Sequence, residues 1–338
     1  MSWFICAILC LCGWGFADLF YKKAAESSDN GEDRYSHLKT AVWVGLVMGA
    51  GALCLLPFSE SGFSFGSLAV SGFRYLPASL GYIISMIIGY AGLRYLELSI
   101  VSPVQNASGA LSAIAMSVWF IIFSDDALGS ISDETGFTFG DAAGLDLLNN
   151  VLITCGIAVI VAGVIALAIV EQKLSSSEIK SSERKYRMGA LALIFPLLYC
   201  VFDTVGTAAD GIILSDDNGM GLGEIDVLVL YGLTFLLAGI ACWVFILIKT
   251  GKPYNPFAKT EKFNAIAALC EEAGQVFYVF AMAKKPVLAA PVIASYCIVS
   301  VILSRVFIRE KLKASQYACV FAVIAGIVML GISDGLTA

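Results

Sequence analysis

The sequence predicts an all-α integral membrane protein of ten transmembrane helices, arranged as two inverted five-helix repeats. Three observations carry that prediction. The 338 residues are 59% hydrophobic and 14% charged, more apolar surface than a soluble chain of this length can hide. The apolar residues gather in ten segments near the roughly 20 residues needed to cross a hydrocarbon core about 30 Å thick. And the second half restates the first. Asp18 lies fifteen residues after Trp3, which opens the first segment; Asp203 lies fifteen after Met188, which opens the sixth. Ser102-Pro103-Val104 returns as Ala290-Pro291-Val292, and Cys155-Gly-Ile-Ala158-Val159-Ile160 as Cys319-Val-Phe-Ala322-Val323-Ile324. The offsets are 185, 188 and 164 residues, and the fall of 24 matches a polar insertion near 125–148 that the second half lacks. Five spans per half is an odd number, so the halves must cross the bilayer in opposite senses.

The segments fall near 3–24, 38–58, 75–97, 100–123 and 149–170, then 188–209, 225–248, 263–283, 286–308 and 314–333. Few of them alternate with a period of two, which argues for helices rather than barrel strands. The first run has no basic leader and contains Asp18, so it reads as a span and not as a cleaved signal. The organisation is therefore a first repeat over 1–171, a basic linker over 172–187 and a second repeat over 188–338.

Charge is uneven. Residues 125–148 hold Asp125, Asp126, Asp133, Glu134, Asp141 and Asp146 with no base, and 210–226 hold Asp210, Asp216, Asp217, Glu224 and Asp226, again with none. Of the 21 Lys and Arg, 18 fall in the connections after spans one, three, five, seven and nine. Only Arg74, Lys284 and Lys285 fall on the other side. This is positive-inside asymmetry, not a nucleic-acid surface, and taken alone it places both termini outside the cytoplasm. The expected location is a bacterial cytoplasmic membrane.

Several motifs are excluded on context. Gly219-Met-Gly221-Leu-Gly223 lacks the preceding strand of a phosphate loop, and Thr250-Gly251-Lys252 lacks the upstream glycine. His37 is the only histidine, so a His-Glu-x-x-His zinc site is impossible. The ten cysteines all lie in apolar segments without metal spacing and read as small apolar side chains. No cofactor is expected.

Ionisable groups inside the membrane cost about 2.5–3.5 kcal/mol each at the helix centre on insertion scales, and they mark function or a specific partner. They are few here: Asp18, Asp203, Asp210, Glu271 and Glu272. Glu271, Gln275, Tyr278 and Met282 follow helical spacing and form one stripe, with Glu272 at its edge. Trp14, Asp18 and Lys22 form another, in which Lys22 could neutralise Asp18 or reach the interface. Asp210 sits near the end of its span, where partial solvation is expected. Asp18 and Asp203 match in the repeat, so shared structural and shared ligand roles both stay open. Gln105 and Asn106 follow Pro103, and the matching segment after Pro291 holds Ser295 and Tyr296; the amides can hold a polar ligand or another helix. Each proline frees a backbone carbonyl one turn earlier. Gly45-x-x-x-Gly49 and Gly109-x-x-x-Ala113 are small-residue stripes for close helix packing.

The run from Ala281 to Leu330 resembles the second half of EamA-type transporters of the Drug/Metabolite Transporter superfamily. The residues that carry the resemblance are Ala289-Ala290-Pro291-Val292, Arg309-Glu310-Lys311-Leu312, Gln316 and Ala325-Gly326-Ile327-Val328, together with Gly13-Trp14-Gly15 and Asp18 near the start. The resemblance implies two inverted five-helix repeats around a central cavity lined by helices 1, 3, 4, 6, 8 and 9, with helices 5 and 10 peripheral. It departs from the family in two ways. The acidic insertion replaces the glutamate turn after helix four, and the charge bias places the termini opposite to family habit.

The function expected is secondary transport of a small polar or amphipathic metabolite by alternating access around a midplane site, in the lipid bilayer and without an ATPase. Glu271 or Glu272 would titrate a coupling proton or bind another coupling ion. Asp203, Asp18, Trp14, Asn106, Gln105, Gln275, Tyr278 and Tyr296 would supply further contacts. The competing reading is an intramembrane enzyme that uses acidic residues, for example Asp203 with Glu271, or a scaffold that does not transport. Carboxylates that face a wet cavity favour transport; carboxylates paired and sealed favour structure.

Overall fold

The computed structural model describes residues 2–28, 35–59, 65–92, 105–123, 126–138, 145–178, 194–215, 220–303, 306–307 and 313–337. Pro103, Arg94, Arg305 and the Arg309–Leu312 turn lie outside them. Among the described residues, ten helices are long and apolar enough to span a membrane: Trp3–Ala24, Ser36–Phe58, Gly66–Gly92, Gln105–Phe123, Asp146–Leu167, Ile194–Leu214, Glu224–Thr250, Lys259–Met282, Pro286–Leu303 and Ala314–Leu336. They are spans one to ten below. Their outward faces expose large apolar side chains, among them Phe73 at 77%, Ile248 at 73% and Leu237 at 68%. In water such a surface would aggregate; against lipid it costs nothing.

Three helix boundaries differ from the hydropathy reading: the helix of span five runs over Leu145–Glu178, past 170 and into the expected linker. Span three begins near Gly66 rather than 75, and its helix runs through Arg74 and Pro77. Span six continues to Leu214 rather than stopping at 209, carrying Asp210 inside it. Hydropathy records which residues meet lipid, whereas helices end where backbone groups find other partners. Span six finds them in the glycine-rich loop. Met220, Gly221 and Leu222 donate backbone N–H groups to the carbonyls of Ile212, Ser215 and Ile213 at 3.3, 3.1 and 3.1 Å. Gly221 at φ 56° makes that fold-back possible.

The spans pair across the halves: one with eight, two with seven, three with six, four with nine, five with ten. Exchanging one for six, two for seven, three for eight, four for nine and five for ten maps this set onto itself. Lesser contacts obey the same exchange, since span one touches nine as span four touches six. Small residues sit at the crossings. A Cβ on Gly45 of span two would lie 2.5 Å from the Phe235 carbonyl of span seven, and one on Gly81 of span three 2.7 Å from the Gly206 nitrogen of span six. Gly109 of span four meets Ala294 of span nine, and Gly326 of span ten meets the Gly156 carbonyl of span five. Without a hydrophobic drive between helices in lipid, such close approach is what holds them together.

Spans four and nine are both broken. Span nine is helical over Pro286–Ala294 and Cys297–Leu303, with a turn at Ser295 and Tyr296 held by tight i to i−3 bonds of 3.0–3.1 Å. Span four turns at Ala107, before the helix Ser108–Phe123. Ala107 and Ser295 are separated by the same 188 residues as Pro103 and Pro291. The break therefore follows each proline by one turn.

The described part of the acidic insertion forms a docked helix, Ala127–Thr135. Asp126 caps its start by accepting from the Gly129 N–H at 3.1 Å, and Gly136 at φ 71° ends it. Ser215 at the end of span six donates to Glu134 at 2.6 Å, and Asn149 donates to the Gly136 carbonyl at 2.9 Å. Lys285 donates to the Asp133 carbonyl. Burial pushes the Lys285 ammonium down from the ordinary lysine value, against the pull of Asp133, Glu134 and Asp334. The insertion thus covers the end of the bundle where spans six and eight finish.

Candidate functional site

A cavity of about 80 Å³ lies between the halves. It has room for a few waters or the head of a small molecule. Span one contributes Trp14, Asp18 and Tyr21; span three, Tyr82 and Met86; span four, Asn106 and Ser108. Span six contributes Tyr199, Asp203 and Thr207, and span seven Tyr231. Span eight contributes Glu271, Gln275 and Tyr278, and span nine Ala290, Ile293 and Tyr296. The spans are those the resemblance implied, with span seven added. Among the described residues, nothing from spans two, five or ten lines it.

Helical spacing explains the span-eight wall. Glu271, Gln275 and Tyr278 share one face and all three reach the cavity. Gln275 is 2% exposed, and its amide nitrogen is buried with no hydrogen-bond partner among the described residues. Trp14 stacks on Tyr278 with ring centroids 5.3 Å apart and meets Tyr296 edge-on at 5.8 Å. Its indole N–H donates to the Glu271 backbone carbonyl at 3.3 Å. The ring lies against Gly274, where a Cβ would come within 2.4 Å of it.

Two expected residues stand elsewhere. Glu272 is turned about 100° from Glu271, as one helical residue requires. That rotation points it at Gly51 of span two, where its Oε1 lies 2.2 Å from the place of an added Cβ. It packs in a helix seam, not at the edge of the cavity stripe. Gln105 is buried beside Gly89 of span three and does not line the cavity.

The carboxylates are held by hydroxyls. Ser300 of span nine donates to Asp18 at 2.9 Å, and Ser108 of span four donates to Asp203 at 2.6 Å. The span pairs exchange when the halves are exchanged, but the serines do not: at the 188-residue offset Ser300 matches Ser112, which donates to the Ser108 and Thr204 carbonyls instead. Glu271 accepts from Tyr21 and, at 3.4 Å, from Tyr90. Asp210, expected to be partly solvated, is instead fully buried. It accepts from Tyr82 at 3.4 Å, and the Tyr82 and Tyr278 hydroxyls are 2.5 Å apart. Tyr75, also fully buried, lies beside it. The reason is the covering at that end: Gly211 is wrapped by Met116, Met282 and Pro286, and Ser215 by the insertion. Glu271 with Tyr21 lies toward the side where spans one and three end. Asp210 with Tyr82 and Tyr278 lies toward the side where spans six and eight end.

Sequence reading missed Tyr21 and Tyr231. Tyr21 was legible, since it is seven residues after Trp14 and three after Asp18 on the same helical face. Tyr231 was not: the polar residue near it in span seven, Thr234, turns its hydroxyl back to the Leu230 and Tyr231 carbonyls and sets no face.

Residues 219–332 match the EamA-like transporter family, a domain of the Drug/Metabolite Transporter superfamily. Among curated proteins, none matches the chain. A solved structure described only as "Crystal structure of protein" superposes with a TM-score of 0.50 at 13% identity, covering 96% of both chains. At that identity it speaks for the ten-helix fold alone. The ten apolar helices and the family match together describe an integral multi-pass membrane protein.

Proposed function

We propose that this chain, whose residues 219–332 match the EamA-like transporter family, is a secondary transporter of a small polar or amphipathic metabolite. The observation that carries the reading is the convergence of Asp18, Asp203 and Glu271, from three spans and both halves, on one cavity. A scaffold gains nothing from keeping three costly carboxylates around a hollow. An acid-pair enzyme needs two carboxylates on one scissile bond, whereas each of these accepts from a hydroxyl on a neighbouring span.

In this reading the halves, inverted in the membrane, rock about the cavity. The cluster of Asp210, Tyr82 and Tyr278 closes one side, while the cluster of Glu271, Tyr21 and Tyr90 is its counterpart toward the other. The breaks at Ala107 and Ser295 let the two halves of spans four and nine move separately. Glu271 carries the coupling proton or cation. The basic connections put its side in the cytoplasm and the insertion outside, in a bacterial plasma membrane.

Purified protein in proteoliposomes, offered a mixture of small metabolites across a pH gradient and analysed by mass spectrometry, should accumulate at least one solute above protein-free vesicles. Accumulation of none would overturn the proposal.

A further inference from the structure

We infer that the solute this cavity takes carries a positively charged nitrogen: a small organic cation, or the ammonium end of a larger molecule. The inference rests on the transport reading and names its substrate class. The first ground is charge. Three carboxylates line the cavity, and among the described residues no Lys, Arg or His does. An anion entering would meet three acidic groups and no counter-charge. A neutral solute would leave their charge unanswered in a place with little water to screen it.

The second ground is the arrangement of rings. Trp14, Tyr21, Tyr82, Tyr199, Tyr231, Tyr278 and Tyr296 all line the same small space. Tyr82 stands perpendicular to Tyr278, at 89° and 6.3 Å, and at 66° and 5.7 Å to Tyr231. Trp14 and Tyr296 meet at 85°. Rings set at right angles around a hollow present both faces and edges to it, and π-faces attract alkylammonium groups that are too bulky for a single hydrogen bond. A purely apolar ligand would suit the rings and waste the acids.

The third ground favours a molecular cation over a bare metal ion as the solute. Among the described residues no cluster of three His, Cys, Asp or Glu has metal-binding geometry. The acids stand on spans one, six and eight, around the cavity rather than at one point. That spacing fits a cation several atoms across, touched from several sides. Gln275, whose buried amide nitrogen has no partner among the described residues, lines the same space and can turn its carbonyl to an N–H donor.

The test is calorimetric titration of the purified full-length protein with an alkylammonium series, methylammonium to tetraethylammonium and choline. Each is matched with its uncharged carbon isostere, such as 3,3-dimethylbutan-1-ol for choline, and with a carboxylate of equal size. At least one cation should bind at least tenfold more tightly than its isostere. Trp14→Ala should weaken that cation fivefold or more. Tyr296→Leu, which keeps bulk if the first variant folds poorly, should do the same. Equal affinity for cation and isostere, preference for the carboxylate, or no binding by any cation overturns the inference. The proteoliposome assay separates the two readings. Accumulation of only neutral or anionic solutes leaves the transporter standing and removes the cation. Tight cation binding without transport of anything does the reverse.

Discussion

Two clusters of carboxylate and tyrosine stand at the two ends of the central cavity, and they differ in one respect. Around Glu271, the acid comes from span eight and the hydroxyls from Tyr21 of span one and Tyr90 of span three. Around Asp210, the acid comes from span six and the hydroxyls from Tyr82 of span three and Tyr278 of span eight. Exchange of the halves turns the pair of spans one and eight into the pair of spans six and three, so the same chemistry recurs with acid and phenol on swapped partners. Glu271 borders the cavity; Asp210 is sealed, with one carboxylate oxygen lacking any partner among the described residues. The chain has thus kept the pseudo-symmetry of its backbone while placing its acids unequally. An acid that borders the hollow can exchange with solvent and solute. An acid that is sealed can only hold neighbouring helices until they separate.

That contrast can be broken by substitution. The largest effect on stability is expected from Asp210→Ala, which opens a void in a fully buried place and removes the acceptor of the Tyr82 hydroxyl, a loss of roughly 1–3 kcal/mol. Thermal melting in detergent should show a fall of several degrees. Glu271→Ala should cost less, because the carboxylate it removes borders the cavity and the space left can be hydrated. If the two variants melt together, the distinction between sealed and open acids is wrong.

Next in size are Ser300→Ala and Ser108→Ala. Each removes a hydrogen bond to a carboxylate, about 1.5–3 kcal/mol when that acid is ionised. Because each serine donates one bond to a matched aspartate across an exchange-related pair of spans, the two losses should agree closely in the same melting assay. A loss confined to one would show that the pseudo-symmetry of fold does not extend to energetics. The smallest effect is expected from Tyr82→Phe. It removes the 2.5 Å contact with Tyr278 at about 1 kcal/mol and leaves the ring packing intact. In proteoliposomes it should alter the rate of transport more than the apparent affinity, since Tyr278 keeps its place against Trp14.

Much of this was legible in the residues and some was not, for identifiable reasons. The ten spans follow from apolar runs, and the breaks at Ala107 and Ser295 each fall one turn after a repeated proline; these are local signals. The stripe of Glu271, Gln275 and Tyr278 follows from helical spacing. Glu272 shows the limit of that argument: periodicity gives an angle but not which neighbour occupies it, and span two stands where a cavity edge was expected. Asp210 shows another limit. Its burial depends on Met116, Met282 and the insertion helix, all remote in sequence. Tyr21 and Tyr231 belong to a composition rich in aromatics, where one more tyrosine carries no signal until its partners are in view.

The account turns on Glu271 and its neighbour Glu272, adjacent in sequence and facing different surroundings. Uptake driven by a pH gradient should be measured in proteoliposomes for Glu271→Gln and Glu272→Gln beside the parent protein. The account predicts that Glu271→Gln abolishes the response to the gradient, a fall of tenfold or more, while Glu272→Gln stays within about twofold of the parent. Gradient-driven uptake that survives in Glu271→Gln, or that is lost in Glu272→Gln instead, would contradict it.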